Sequence, residues 1–276
     1  VAITSPVDDY EVTICPGDSQ TFTTAATGDG LTYQWYFNGT TPLPSTTNSY
    51  TVSNATAANT GDYTVIVLDG CGNQETSAVA TLTVSQATEI IIEPAPTPQT
   101  VCEGTAISIA IVATGTNLTY QWFRGTTPVS GASATTPTLT INSTVVADSG
   151  DYTCHITSGT CGTIISNIAK LTVNQAPAIV AQTGGGAICV GETANFSVTA
   201  TGTNLTYQWY KGTGELIANE TSNTYSIPNA TEADSNTYYC TISSTSCAPI
   251  DTTPVILTVK PLPTATISQG TPSTIC

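Results

Sequence analysis

The chain has 276 residues, of which 39% are apolar and only 8% charged, and its formal net charge is −15. Only Arg124, Lys170, Lys211 and Lys260 are cationic against 19 acids, a balance that repels nucleic-acid backbones and anionic lipid surfaces. The longest apolar runs, such as Ile90-Ile91-Ile92, are far too short to cross a bilayer, so neither a nucleic-acid partner nor membrane insertion of this segment is expected.

Roughly a fifth of the residues are Thr and none is Met, and Val, Ile, Thr and Tyr dominate where Leu, Ala, Glu and Lys would build helices. This predicts an all-β class. Cys15, Cys102, Cys189 and Cys276 follow one another at intervals of 87 residues, and so do Trp35, Trp122 and Trp209. A fixed period is the mark of a copied unit, and a unit of this size can bury a core of its own. The sequence reads as repeats over 1–86, 87–175 and 176–260, with 261–276 opening a fourth, as though cut from a longer array.

In the first repeat a turn at Cys15-Pro16-Gly17-Asp18 leads to Leu31-Thr32-Tyr33-Gln34-Trp35, then to the acidic turn Thr60-Gly61-Asp62-Tyr63, Cys71 and a last strand ending at Val84. The second repeat gives the clearest strands, predicted over 107–111, 118–123, 138–141, 152–156 and 169–173. Their period of two points Ile109, Ile111, Tyr120, Trp122, Leu139, Ile141, Tyr152, Cys154, Leu171 and Val173 inward. The third repeat follows the same course through Cys189, Trp209, Tyr238, Cys240 and Cys247 to Val259. The Pro-rich stretches 93–98 and 261–263 are expected to join semi-rigid domains end to end.

These residues resemble the immunoglobulin-like fold: a core Trp on the third strand (Trp35, Trp122, Trp209) and a Tyr opening the sixth (Tyr63, Tyr152, Tyr238), which in that fold ties its strand to the preceding backbone. The resemblance implies tandem immunoglobulin-like β-sandwich domains in a linear array. Gly61 and Gly150 give way to Asn236 in the third repeat, as expected where φ is positive. The second-strand positions that would pair with a sixth-strand Cys hold Thr24, Ile111 and Val198, so the inter-sheet disulfide of antibody domains cannot form. The set of a Cys-led turn (Cys15 to Asp18, Cys102 to Thr105, Cys189 to Glu192), Leu-Thr-Tyr-Gln-Trp and a Cys after the sixth strand is similar to the Ig-like repeats of large surface and gliding adhesins of Bacteroidota-type bacteria. That likeness implies an extracellular or bacterial cell-surface location. It also implies a structural function, a stalk or rod segment giving reach and mechanical stability. Its partners would be flanking repeats of the same chain and lateral copies in a filament. The alternative is a glycan- or protein-binding adhesion module.

Chemistry-bearing groups are sparse. A hydrolase needs a His base beside a nucleophile, and the one His, His155, follows Cys154 on a strand, so the two side chains face opposite ways. Zinc needs closely spaced ligand pairs, whereas Cys154 and Cys161, like Cys240 and Cys247, stand seven apart. Calcium between domains needs recurring carboxylates; Asp8, Asp9 and Glu11 precede the first repeat and Glu89 and Glu93 the second, but 176–187 has none. Gly184-Gly185-Gly186 lacks the strand, helix and Lys of a phosphate loop. No enzyme activity, cofactor or metal is expected. Eight Asn-x-Ser/Thr sequons occur, at Asn38, Asn54, Asn117, Asn142, Asn195, Asn204, Asn219 and Asn229, and Thr252 in Asp251-Thr252-Thr253 fits a short O-glycan acceptor pattern.

Nine cysteines and few lysines point to an oxidising compartment. In the Ig topology Cys15 and Cys71 fall at opposite ends of their domain, about 20 Å apart along a strand, beyond the ~7 Å Cα separation that a bridge tolerates. Two maps remain open. Cys154–Cys161 and Cys240–Cys247 would staple the last hairpins locally. Alternatively, Cys15–Cys161 and Cys102–Cys247 would link successive repeats, leaving Cys154 and Cys240 as buried thiols and Cys71 and Cys276 with partners outside the sequence. The second is favoured because Cys71 has no local partner.

Overall fold

A computed structural model describes residues 1–6, 8–95, 97–159 and 161–265. It shows an all-β chain of three tandem Ig-like sandwich domains in which the only helical pieces among the described residues are short 3-10 turns such as Ala57–Asn59 and Glu232–Asp234. Two compact units are formed, one of 1–98, 108–140 and 150–170, the other of 99–107, 141–149 and 171–276. The second domain contributes strands to both.

The first unit holds the first domain whole. Thr32–Phe37 pairs antiparallel with Gly61–Leu68, which pairs with Ala80–Val84, and Tyr10–Ile14 joins the outer edge of Ala80–Val84 in parallel. Gln20–Thr23 and Ser49–Val52 form part of the facing sheet. Between the sheets lie Phe22, Trp35, Val52, Tyr63, Val65, Val67 and Leu82, with Phe22 stacked on Tyr63 at 4.6 Å between ring centroids. The same unit contains Leu118–Arg124 against Gly150–Ser158, Trp122 facing Cys154 in register, and all but one end residue each of the paired strands Ile107–Ala110 and Thr138–Ile141.

The second unit holds the third domain whole. Thr206–Lys211 pairs with Asn236–Ser244, which pairs with Val255–Lys260, and Gly186–Cys189 lies parallel to the last of these. Ala178–Thr183, Ala194–Thr201 and Thr224–Ile227 make the other sheet, around Phe196, Val198, Trp209, Tyr238 and Leu257. Gln99–Cys102 likewise runs parallel to the end of Ala169–Asn174.

The alternating runs seen in the second repeat occupy strands within two residues of their predicted ends, and Ile109, Ile111, Trp122, Leu139, Tyr152, Cys154, Leu171 and Val173 are buried. Each core indole donates to a carbonyl of the loop that follows its strand: Trp35 Nε1 to Thr47, Trp122 Nε1 to Thr136 and Trp209 Nε1 to Ser222, all at 2.9 Å. The neighbouring glutamine does the same with its amide, Gln34 Nε2 to Leu43 O at 2.8 Å, Gln121 Nε2 to Val129 O at 3.0 Å and Gln208 Nε2 to Ile217 O at 2.8 Å. Leu-Thr-Tyr-Gln-Trp is therefore a strand that fixes its own exit loop through two side chains, which is why the string is repeated almost unchanged.

Three expectations are corrected. The Pro-rich 93–98 stretch is not a joint between domains: Glu89–Ile92 before it already pairs with Val112–Thr114 of the second repeat, and Gln99–Cys102 after it with Ala169–Asn174. Pro94 and Pro98 lie outside both ladders, where no ladder N–H is needed. Asn236 does not take over a positive φ. Gly61 and Gly150 have φ of 153° and 159° while Asn236 has none in that region. A Cβ at Gly61 would sit 2.5 Å from Asn38 Oδ1 and one at Gly150 2.9 Å from Arg124 Cγ, so the two glycines also answer a side chain folded over the turn. Thr252, taken as a glycan acceptor, is buried, and its hydroxyl accepts the Cys240 N–H at 2.9 Å; Ser77 and Ser166 do the same for Val65 and Cys154. A hydroxyl pinned inside the sandwich is closed to a glycosyl donor.

Six of the eight sequons have a backbone cause. Asn38, Asn54, Asn117, Asn204, Asn219 and Asn229 all have φ between 49° and 66°, the left-handed conformation that Asn tolerates best after Gly. Asn followed closely by Ser or Thr is turn chemistry here.

The phenol of Tyr63 donates to Asn59 O at 2.9 Å and that of Tyr238 to Asp234 O at 2.8 Å, the tyrosine corner. Burial, with Tyr225, Asp234 and Glu215 adding negative potential, pushes the Tyr238 phenol up to about 12 from 10. The neutral phenol's contribution is thus complete below about pH 10 and lost as pH rises toward 12, where the phenolate can no longer donate. Denaturant midpoints of the third domain should fall across that window, and Tyr238→Phe should flatten the fall; an unchanged slope in the variant would place the alkaline sensitivity elsewhere.

Candidate functional site: the disulfide-closed junctions

The cysteines are where the structure departs most from a set of separate domains. Cys15 follows the strand Tyr10–Ile14, Cys161 sits at the tip of the hairpin after Gly150–Ser158, and their sulfurs are bonded with Cα atoms 5.4 Å apart, all inside the first unit. In the second unit Cys102 and Cys247, the equivalent positions one repeat later, are bonded with Cα atoms 4.9 Å apart. The inter-repeat map is the one formed, and the local staples Cys154–Cys161 and Cys240–Cys247 are not.

Hydrogen bonds that recur at both places flank each bridge. The Gln86 N–H donates to Thr116 Oγ1 and the Gln175 N–H to Thr203 Oγ1, each at 2.8 Å. In the second unit Asn174 Nδ2 also donates to Thr245 O at 2.8 Å, and the Ala176 N–H to Glu103 Oε1 at 2.9 Å. The main-chain turns are held from within: Cys15 N–H donates to Asp18 Oδ2 at 3.2 Å and Cys189 N–H to Glu192 Oε2 at 2.8 Å. Sequence reasoning missed the Gln and Thr of this contact. Their trace was Gly-Thr-Asn ahead of Leu-Thr-Tyr-Gln-Trp in the second and third repeats, against Gly28-Asp29-Gly30 in the first.

Four cysteines proposed as disulfide candidates are free thiols: Cys154 and Cys240 buried, Cys71 and Cys189 exposed. Cys276 lies outside the described residues. Cys154 and Cys240 face Trp122 and Trp209 across the strand pair, inside the sandwich, far from the hairpin tips that carry the bonded sulfurs. Burial pushes both thiols up to about 11, so they are protonated at any neutral pH as well as inaccessible. Alkylation by iodoacetamide at pH 8 should therefore modify Cys71 and Cys189 at least about a hundredfold faster than Cys154 and Cys240, as read by peptide mass mapping, with the slow pair released by denaturant. Fast labelling of Cys154 in native protein would show that the second domain opens.

At the Cys71 hairpin the Asp69 carboxylate accepts from the side chain and backbone of Asn73 and from the Cys71 N–H, each at 2.9 Å. Those bonds hold it well below the usual carboxylate range, so it stays charged.

Elsewhere chemistry is thin. His155 lies on the outer face, its ring 4.1 Å from that of Phe123, while Cys154 points inward, as their adjacency on a strand requires. Thr119, Gln121, Phe123, His155, Thr157 and Thr163 line a shallow open groove. Among the described residues no group of three or more His, Cys, Asp or Glu is spaced to hold a metal ion, and no helix is long and apolar enough to cross a membrane.

Residues 174–261 match the family described as "Ig-like domain CHU_C associated". Over 241 residues the chain is 27% identical to the muscle M-line assembly protein unc-89 of Caenorhabditis elegans, matching 77% of this chain but spanning only about 3% of that protein. The I-band fragment I67-I69 of titin superposes with a TM-score of 0.76 at 19% identity, covering 94% of this chain and 98% of the fragment. An E-to-A variant of the same three-domain fragment gives 0.75. At such identity the likeness is one of fold: three tandem Ig-like domains.

Proposed function

We propose that this chain is a tether, a structural rod segment of an extracellular adhesin or filament, which carries tension between what lies at its two ends and catalyses nothing. The observation that carries the reading is the covalent closure of successive repeats by Cys15–Cys161 and Cys102–Cys247. A binding or catalytic domain gains little from a bond to its neighbour, whereas a bond that offers tension a second covalent route past the folded core protects every strand behind it. Disulfides persist in oxidising compartments, which supports an extracellular setting, and the acidic, lysine-poor surface supports solubility there. The match of 174–261 to an Ig-like domain family supports the tandem-domain reading, and the adhesin-like repeat pattern supports a bacterial cell surface.

The alternative, a glycan- or protein-binding adhesion module, draws on the Phe123–His155 groove, where an aromatic face and several hydroxyls lie together. Beads tethered through the two chain ends should stay attached under sustained flow while the protein is oxidised and release sooner after reduction. The same protein spread over glycan and matrix-protein arrays should capture nothing. Equal tether lifetimes in both redox states would sink the tether reading, and a ligand lost on Phe123→Ala would replace it with the binding one.

A further inference from the structure

One sheet of the third domain stops a strand short. Its strands run in the order Ala178–Thr183, Ala194–Thr201, Thr224–Ile227, and nothing takes the place beside the last of these, where an immunoglobulin constant-type sheet has a fourth. The Val198 N–H donates to Asn223 O at 2.9 Å, and Phe196 and Ala194 stand opposite Tyr225 and Ile227. Main-chain groups alternate along such a ladder, so those of Thr224 and Ser226 point away from the sheet. Among the described residues nothing bonds them, and both residues are exposed.

The same edge is closed in the other two domains. In the first, Ser49 O accepts Ser45 Oγ at 2.6 Å and Thr47 Oγ1 at 3.0 Å. In the second, Thr138 O accepts Thr136 Oγ1 at 2.8 Å and Thr140 O accepts Ser133 Oγ at 3.1 Å. Hydroxyls folded back onto edge carbonyls stand where an incoming strand would bond. In the third domain Ser222, whose carbonyl accepts the Trp209 indole as Thr47 and Thr136 accept theirs, makes no such bond to Thr224 O. The end-to-end junctions do not use this edge either. Their hydrogen bonds join Gln86 to Thr116, Gln175 to Thr203, Asn174 to Thr245 and Ala176 to Glu103, so a repeat joined to the third domain by the same contacts leaves Thr224–Ile227 open.

Charge and symmetry select the occupant. In a chain of net charge −15, not one residue of the three strands is charged. Their outer face carries neutral pairs instead, Thr183 Oγ1 with Ser197 Oγ at 2.7 Å and Ser226 Oγ with Asn195 Oδ1 at 2.8 Å. An edge without the Lys, Pro or inward charge that guards most edges is a template for another strand. It is also complementary to itself: turned end for end about Tyr225, the segment sets Ser226 against Thr224 and Thr224 against Ser226, donor facing acceptor at each. Glu220 and Asp234, whose charges add to burial in raising the Tyr225 phenol, lie off the strands.

We infer that two copies of this chain associate side by side through their third domains, Thr224–Ile227 of one pairing antiparallel with Thr224–Ile227 of the other. Each Thr224 exchanges two main-chain bonds with Ser226 of the second copy, and each copy fills the place of the other's missing strand. The two Tyr225 rings, half-buried at the rim of the cluster of Phe196 and Trp209, meet across the two-fold axis. So short a ladder makes a weak dimer, which gains strength when many repeats align along two rods. The contact is lateral and holds whether or not the rods carry tension, so it does not rest on the tether reading.

The full chain, its exposed thiols capped with iodoacetamide, should sediment as a monomer at micromolar concentration and as a dimer in the millimolar range. Added salt should strengthen the association several-fold, because it screens the acids of two like-charged chains. Amide hydrogen exchange read by NMR should slow at Thr224 and Ser226 as the concentration rises, and stay unchanged at Thr138 and Thr140. Thr224→Pro removes a donor that the single chain leaves unbonded and should abolish the dimer, whereas Thr138→Pro at the closed edge should leave it intact. A monomer throughout would leave the edge to a strand of another protein and overturn the inference. So would a dimer that survives Thr224→Pro, one that salt weakens, or one that forms with no change in exchange at Thr224 and Ser226.

Discussion

Reduction of Cys15–Cys161 and Cys102–Cys247 should lengthen the fully stretched chain more than twofold. With both bonds intact the shortest covalent path between the ends runs through residues 1–15, crosses to Cys161, returns along the backbone to Cys102, and crosses again to Cys247. That path has about 105 residues and reaches about 370 Å, against about 970 Å for all 276 residues pulled straight at ~3.5 Å each. Optical-trap extension curves before and after a phosphine reductant would read this directly. The order of events would change as well, because tension in the oxidised chain can pass the first domain's core through Cys15 and the third domain's core through Cys102. Equal end-stops in the two states would mean that the bridges are absent from the folded protein.

Trp122→Ala should destabilise the second domain by about 3–5 kcal/mol, the usual cost of emptying a buried indole site. Trp122 is 0% exposed, and its loss leaves the Thr136 carbonyl without the indole donor and a void between strands paired through Cys154 and held by the Gln121 amide. Domains of this size have about 5–15 kcal/mol in all, so the variant domain sits near its unfolding midpoint at growth temperatures. Denaturant titration followed by the two remaining tryptophans and by exposure of Cys154 to a thiol reagent would measure it. A cost under about 1 kcal/mol would show that the sandwich closes over the gap. Trp122→Phe, which keeps most of the volume, should recover more than half.

Most of the fold was legible because an antiparallel sandwich writes its pattern locally: a period of two along 107–110, 118–124 or 138–141 depends only on which face each residue presents. The elements missed are those whose partner is remote. Tyr10–Ile14, Gln99–Cys102 and Gly186–Cys189 pair in parallel with the final strand of their own repeats, and nothing within such a short segment signals a partner some seventy residues on. The same blindness turned the prolines of 93–98 into an inter-domain joint. Asn236 misled because one residue type serves several turns: it holds the place of Gly61 and Gly150 in the acidic turn without their positive φ. At the junctions the bonded cysteines were legible from the fold's geometry together with the period, since Cys71 had no partner within reach, whereas the freedom of Cys189 went unremarked. The Gln175 to Thr203 contact, a backbone donor and a side-chain acceptor, has no signature until the two repeats are in place.

The two bridges also decide how the molecule fails when its backbone is cut. One overlaps the other between Cys102 and Cys161, where three covalent strands run side by side, and from Cys15 to Cys247 there are never fewer than two. A single hydrolysed peptide bond anywhere in that span therefore leaves the two ends joined. Severing them by hydrolysis takes three cuts, one between Cys15 and Cys102, one between Cys102 and Cys161 and one between Cys161 and Cys247, since any two of these still leave a path through at least one bridge. At a given rate of protease attack the time to breakage depends on the coincidence of rare events, so a surface exposed to secreted enzymes keeps its connections long after individual loops have been nicked.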